Sequence, residues 1–181
     1  QTGGTYIDKW ADGVQADNGS KVTVDGNVTS EKGRAIDSHG SEVTVNGNVH
    51  SEKESAINAR DGSTITIDGS VSSNVGISLG GIIETTDSTI KITKDVKAKN
   101  AWGILAGPGT DIEVGGNVSS EKEAVYISGK DALIVVDGNV YSTKGCAMDI
   151  LEQAEATVKG DVTGNKLAIW MDNCSKLQSL G

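Results

Sequence analysis

The chain has 181 residues, of which 36% are hydrophobic, only 3% are aromatic and none is phenylalanine. Its longest unbroken apolar run, Ala132–Val136, is far shorter than the ~20 residues of a membrane-spanning helix, so we expect no membrane insertion. The net charge of −9 would repel a polyanion, which argues against nucleic acid as a partner.

Residues 1–12 precede the first full repeat of the chain, and we expect them to form an N-terminal cap or a partial coil. The open end of a sheet is an unpaired strand edge that needs shielding. The sequence begins without an initiator methionine and without a signal peptide. We therefore expect the chain to be part of a longer protein.

Residues 13–172 contain seven copies of a repeat of about 22 residues. Each copy has a Val-x-Val block, a Gly-Asn turn and a closing valine, and the closing valines are Val28, Val49, Val71, Val96, Val118, Val140 and Val162. An Ala-Ile block follows at the same period, beginning at Ala35, Ala56, Gly76, Gly103, Ala124, Ala147 and Ala168. Apolar and polar residues alternate in these blocks, which is typical of strands, and no stretch has a helical period.

This pattern predicts an all-β chain folded as a single parallel β-helix of about seven coils, with three short strands in each coil. One coil cannot bury its inner face alone, whereas stacked coils about 4.8 Å apart align equivalent residues in columns. Column one comprises Val22, Val43, Ile65, Ile90, Ile112, Ile134 and Ala156. Column two comprises Ile36, Ile57, Ile77, Ile104, Val125, Met148 and Ile169. A small column comprises Ser30, Ser51, Ser73, Ala98, Ser120, Ser142 and Gly164, whose hydroxyls we expect to bond to one another or to corner backbone.

The repeat resembles the right-handed parallel β-helix repeats of secreted and cell-surface bacterial proteins. Residues of the Gly-Asn turn resemble the asparagine ladders of that fold: Asn27, Asn48, Asn117 and Asn139, with Ser70, Asp95 and Asp161 as variants. The resemblance implies a right-handed coil and a secreted or surface location. It does not choose a function, since this fold hosts lyases, hydrolases, adhesins and passive stalks.

The outward residues of the third strand in each coil are the candidate functional residues. Trp102, Leu105, Tyr126 and Trp170 form the predicted ligand-binding surface, because exposed aromatic rings can stack on sugars or anchor a protein partner. An alternative catalytic set consists of Asp37, His39 and Arg60, whose carboxylate, imidazole and guanidinium could perform acid–base chemistry or hold a sugar acid.

The third repeat is the irregular one, and we assign its surplus residues to 80–87. Residues 173–181 no longer fit the repeat and are expected to form a C-terminal tail or cap that could cover the aromatic residues. Cys146 and Cys174 form neither a disulfide framework nor a metal pattern, and the two histidines, His39 and His50, have no metal spacing with them. We therefore expect no metal and no cofactor.

Together these features favour a non-catalytic extracellular module that acts in adhesion, in carbohydrate binding or as a spacer. Its partner would be a glycan or a cell-surface protein. The alternative is a polysaccharide-active lyase or hydrolase that acts on an acidic glycan. The sequence leaves the oligomeric state open.

Overall fold

The computed structural model describes residues 6–8, 12–74, 81–172 and 174–179. Over these residues the chain forms 24 short strands that belong to three parallel sheets of eight strands each. Consecutive strands lie in different sheets, and each strand pairs with its equivalent one coil away. The predicted parallel β-helix of about seven coils is thus confirmed. The described part of the chain contains no helix, and hence none that could cross a membrane.

The three sheets are the three faces of the coil, and we number them in the order of the repeat. Face one contains β3 (Lys21–Val24), β6 (Glu42–Val45), β9 (Thr64–Ile67), β12 (Thr89–Ile92), β15 (Asp111–Val114), β18 (Leu133–Val136), β21 (Glu155–Val158) and β24 (Lys176–Ser179). Face two contains β1 (Tyr6–Asp8), β4 (Val28–Ser30), β7 (Val49–Ser51), β10 (Val71–Ser73), β13 (Val96–Ala98), β16 (Val118–Ser120), β19 (Val140–Ser142) and β22 (Val162–Gly164). Face three contains β2 (Val14–Asp17), β5 (Ile36–His39), β8 (Ile57–Arg60), β11 (Gly81–Thr85), β14 (Trp102–Ala106), β17 (Val125–Ser128), β20 (Cys146–Leu151) and β23 (Leu167–Met171).

The core consists of the predicted columns of aliphatic side chains. On face one, Ile112 is fully buried and lies in register between Ile90 and Ile134. Each aliphatic residue therefore packs mainly on its own equivalent in the coils above and below. Such a core requires neighbours of the same shape at a spacing of about 4.8 Å, which accounts for the absence of phenylalanine.

The irregular third coil differs from our prediction. We expected Ile77 in the inward column of face three, but Ile77 lies outside the described residues. Ile83 occupies that position, paired with Ile57 on one side and Ile104 on the other. Because residues 81–85 form β11, the surplus residues precede this strand, and their assignment to 80–87 is wrong. The prediction failed because two nearby segments resemble the Ala-Ile block of the repeat. Gly76-Ile77 has this pattern, but Ile82-Ile83 supplies the block in the strand.

Hydrogen bonds satisfy the polar groups of the two other predicted columns, which are the serine column and the asparagine column. Ser51 Oγ donates to Gly33 O at 2.9 Å and accepts from Glu54 N at 3.1 Å, so the serine is satisfied by corner backbone as expected. In the asparagine ladder, Asn139 N donates to Asn117 Oδ1 at 2.9 Å. The same bond links the equivalent residues of other coils. These ladders fix the register of the coils at the corners, where no strand pairing does so.

Both ends of the described chain continue the coil. At the N-terminal end, β1 pairs in register with β4. At the C-terminal end, residues 173–181 were expected to form a tail or cap over the aromatic residues. Instead, β24 pairs in register with β21 and extends face one, with Leu177 beside Ala156 and Lys176 bonded to Glu155. The described part of this segment therefore follows the repeat, because Leu177 supplies the inward apolar side chain that the coil needs.

Candidate functional site

Four of the seven predicted site residues, Asp37, Leu105, Tyr126 and Trp170, lie in one register column of face three, which changes character along the rod. From the N-terminal to the C-terminal coil, this column consists of Gln15, Asp37, Asn58, Glu84, Leu105, Tyr126, Asp149 and Trp170. Its first half is polar, and aromatic and aliphatic residues appear from the fourth full coil onward. The register thus places Asp37 at a distance from the predicted binding residues, with two strands between Asp37 and Leu105.

The aromatic part is built around a stacked pair. The rings of Trp102 and Tyr126, which lie on neighbouring strands β14 and β17, have centroids 5.4 Å apart and planes inclined by 22°. Offset aromatic pairs of this kind are stabilised beyond the burial of their area. The backbones of both strands are fixed by sheet pairing, so the two rings form a platform with little freedom to move.

A groove of about 360 Å³ lies beside this platform. Tyr126, Leu105 and Pro108 supply its apolar walls, and Arg60 and Ser128 contribute polar groups. The turn that follows β14 contributes Gly107 and Pro108 to the lining of the groove. Aromatic and aliphatic walls with a few polar groups are typical of small-ligand and sugar sites.

Trp170 is separate from the other three predicted binding residues. Leu105 and Tyr126 are register partners, and Trp102 stacks on Tyr126, so these three form one surface. Trp170 lies two strands beyond Tyr126 in the same column, about 10 Å away at the strand spacing of a sheet. Trp170 is 57% exposed, which makes it the most exposed large hydrophobic residue of the described chain.

Asp149 occupies the position between Tyr126 and Trp170 and was not among the predicted site residues. Its Oδ1 atom is buried without a hydrogen-bond partner in the part of the chain that the structure describes. Burial, with a smaller contribution from the negative charge of Glu123, raises the pKa of Asp149 above its usual value. Burial likewise raises the pKa of the nearby Cys146 thiol, with the charges of Asp149 and Glu123 adding to it.

We expect Asp149→Asn to stabilise the protein at pH 7 by about 0.5 kcal/mol, a small value because the carboxyl is partly solvated. A raised pKa in the folded state means that folding favours the protonated acid, so the wild type loses this stability as the pH rises through the folded pKa. The gain should therefore shrink toward zero below pH 4. Urea unfolding at pH 7 and pH 3.5 measures it, with the exposed Asp111→Asn as the control. A loss of stability at pH 7 would contradict the assignment.

Two of the three predicted catalytic residues, Asp37 and His39, lie in a cluster of polar side chains toward the other end of face three. Asp37 is 8% exposed and accepts from Asn58 Nδ2 at 2.5 Å, while Arg34 Nη1 lies 3.1 Å from its other oxygen. His39 Nε2 lies 3.4 Å from Asp37 Oδ1, and its Nδ1 lies 3.8 Å from Asp17 Oδ1. Asp37 thus bonds to Asn58 and Arg34, whereas His39 Nε2 is buried beside it without a hydrogen bond among the described residues.

This cluster differs from the predicted catalytic set in its membership. The structure brings Asp37 and His39 together, but it adds Arg34 and Asn58 as the direct partners of the carboxylate. Arg60 pairs with His39 only through the strand register, and its exposed side chain contributes to the groove beside Tyr126. Spacing in the sequence revealed the strand positions, but it gave no signal for which side chains would turn toward Asp37.

Among the described side chains, no group of three or more His, Cys, Asp or Glu residues could hold a metal ion. Comparison of the chain with protein-family models, with curated proteins and with solved structures found no match. Function must therefore be argued from the geometry of face three, because a β-helix scaffold supports many unrelated activities.

Proposed function

We propose that the chain is a non-catalytic β-solenoid module, secreted or displayed on a bacterial surface, that binds a carbohydrate chain on face three. The observation that supports this proposal is the stacked pair of Trp102 and Tyr126 beside a groove with polar groups. A sugar ring has an apolar face that packs on an aromatic ring and hydroxyls at its edge that form hydrogen bonds. The site offers both kinds of contact side by side.

The rigidity of the scaffold also favours binding of an extended ligand. Leu105 and Tyr126 project from strands that are paired on both sides and rest on a fully buried core. A preorganised surface loses little conformational entropy when a ligand binds, so weak individual contacts add up to useful affinity. Trp170, farther along the same column, would extend the surface for a longer chain.

Binding is favoured over polysaccharide cleavage by the state of the predicted catalytic residues. A general base needs a free oxygen or nitrogen that faces the substrate. The Asp37 carboxylate is instead buried and occupied by Asn58 and Arg34, with His39 beside it. Asp37 therefore suits a structural role, and Arg60 is placed to contact a ligand rather than to assist Asp37.

The test is a binding experiment with paired aromatic variants. A panel of neutral and acidic oligosaccharides identifies a ligand, and calorimetry then measures its dissociation constant. We expect Tyr126→Ala to weaken binding at least tenfold, because it removes both the groove wall and the ring on which Trp102 stacks. Trp170→Ala should weaken binding of long oligosaccharides more than of short ones.

Tyr141→Ala is the matched control, since Tyr141 is an exposed tyrosine on face two, at 42% exposure. It should leave the dissociation constant unchanged. Thermal unfolding of each variant confirms that the coil is intact. The proposal fails if the panel yields no ligand. It also fails if Tyr126→Ala, like the control Tyr141→Ala, binds as tightly as the wild type.

A further inference from the structure

We infer that the ligand of the groove is an acidic glycan, bound with a sugar carboxylate on the guanidinium of Arg60. This inference rests on the proposed carbohydrate-binding function and specifies its ligand class. Arg60 is the only charged residue among the described residues that line the groove. A groove with apolar walls and a single cation is complementary to a sugar chain that carries an anionic group.

No contact among the side chains that the structure describes accounts for the position of the Arg60 guanidinium. Arg60 is exposed, and no ion pair or hydrogen bond joins its guanidinium to the side chains that the structure describes. The other arginine of the chain, Arg34, lies 3.1 Å from Asp37 and belongs to the buried cluster. The two arginines thus differ, since Arg34 is engaged by the Asp37 carboxylate and Arg60 lines the groove.

Many other cations of the chain are neutralised by the coil next to them. Lysine–carboxylate pairs link neighbouring coils at Lys21–Glu42, Lys91–Glu113, Lys144–Glu121, Lys159–Asp137 and Lys176–Glu155. These ion pairs thus join successive coils on the outer surface of the protein. Arg60 departs from this pattern, because its neighbours in register are His39 on one side and the end of β11 on the other.

Guanidinium is the side chain best suited to a carboxylate. It is planar, always charged and able to donate two parallel hydrogen bonds to the two oxygens of one carboxylate. Arg60 on β8 and Tyr126 on β17 are three coils apart, a separation of about 14 Å along the rod. An oligosaccharide lying along the groove can therefore place one sugar on the tyrosine while another sugar presents its acid group to the arginine.

The overall charge of the protein does not prevent this contact. The net charge of −9 repels an acidic glycan at long range. At about 0.15 M salt, however, charges more than ~8 Å apart are largely screened, whereas a direct pair in a partly enclosed groove is screened much less. Binding should therefore be measured near that ionic strength, where the local contact dominates.

The experiment compares two hexasaccharides that differ only in their carboxylates, cellohexaose and the corresponding β-1,4-linked glucuronic acid hexasaccharide. We expect the wild type to bind the acidic hexasaccharide at least tenfold more tightly. Arg60→Gln should remove this preference, because it weakens binding of the acidic hexasaccharide much more than binding of cellohexaose. Arg34→Gln, which removes the same charge from the same face outside the groove, is the matched control and should keep the preference.

The possible results separate this inference from the function on which it rests. If both hexasaccharides bind equally and Tyr126→Ala weakens both, the acidic specificity is wrong and carbohydrate binding stands. If Arg60→Gln keeps the preference for the acidic hexasaccharide, the proposed role of Arg60 is wrong, and carbohydrate binding again stands. If neither hexasaccharide binds, the inference fails, and the oligosaccharide panel decides the broader proposal. Arg60→Lys provides a further check, because a point charge should restore only part of the preference.

Discussion

Replacing Ile112 with alanine is expected to lower the free energy of unfolding by about 4 kcal/mol. Ile112 is fully buried in the middle of the rod, in register between Ile90 and Ile134. Truncation removes three carbon atoms from a column whose neighbours cannot move inward, because sheet pairing fixes their backbones on both sides. The cavity therefore stays open, and its cost adds to the lost transfer free energy. Urea denaturation followed by circular dichroism measures the change.

Two further substitutions in the same column define the size of this effect. Ile112→Val removes one methylene and should cost about 1 kcal/mol. Val22→Ala lies at the N-terminal end of the column, where the side chain is only half-buried, and should cost about 1 kcal/mol or less. The prediction is wrong if Val22→Ala and Ile112→Ala are equally destabilising, because a stacked column must lose most in its middle.

The core was predictable because a repeat converts spacing into structure. A valine or isoleucine that returns every 22 residues has one consistent location, which is the inside of the same face one coil later. Ile112, Ile90 and Ile134 were therefore assigned correctly without any knowledge of the neighbouring side chains. The same logic failed where the period breaks. At Ile77 and Ile83 two adjacent segments carry the same local signal, and only pairing with Ile57 and Ile104 selects between them.

The site was predictable in its positions but not in its contacts. Register alone places Leu105 and Tyr126 side by side. Stacking of Trp102 on Tyr126 depends on side-chain rotation at a corner, which strand spacing does not specify. The same limit applies to Asp37, whose partner Arg34 comes from its own coil and whose partner Asn58 comes from the next. Sequence periodicity thus gives the faces of a solenoid, whereas rotamers decide which outward residues form a site.

The glycines of the Gly-Asn turn show that a correct residue assignment can have a different cause. Glycine in a turn commonly provides access to positive φ. Of the turn glycines, however, only Gly26 has such a value, 142°; the others are Gly47, Gly69, Gly116, Gly138 and Gly160. Their common feature is a close approach of successive coils. A Cβ built on Gly138 would lie 2.6 Å from Gly116 O and 2.8 Å from Asn117 Oδ1, well inside normal contact distance.

Gly138→Ala should therefore lower the free energy of unfolding by about 3 kcal/mol, the upper part of the range for overpacking. The added methyl group presses on the backbone of the coil below and on Asn117 Oδ1, which accepts the hydrogen bond from Asn139 N. Strand register and the asparagine ladder are thus strained together. The protein should still fold, because Lys94 occupies the equivalent turn position of its own coil, with its N 3.2 Å from Gly69 O.

Gly62→Ala separates the steric explanation from the conformational one. Gly62 has φ of +81°, and a Cβ there would have no atom within 4 Å. Alanine at this position should cost only the left-handed backbone penalty of about 1–2 kcal/mol. If close approach of the coils is the reason for the turn glycines, Gly138→Ala is the more destabilising change. The opposite order in urea denaturation would mean that backbone conformation, and not the contact between coils, selects glycine at the turn.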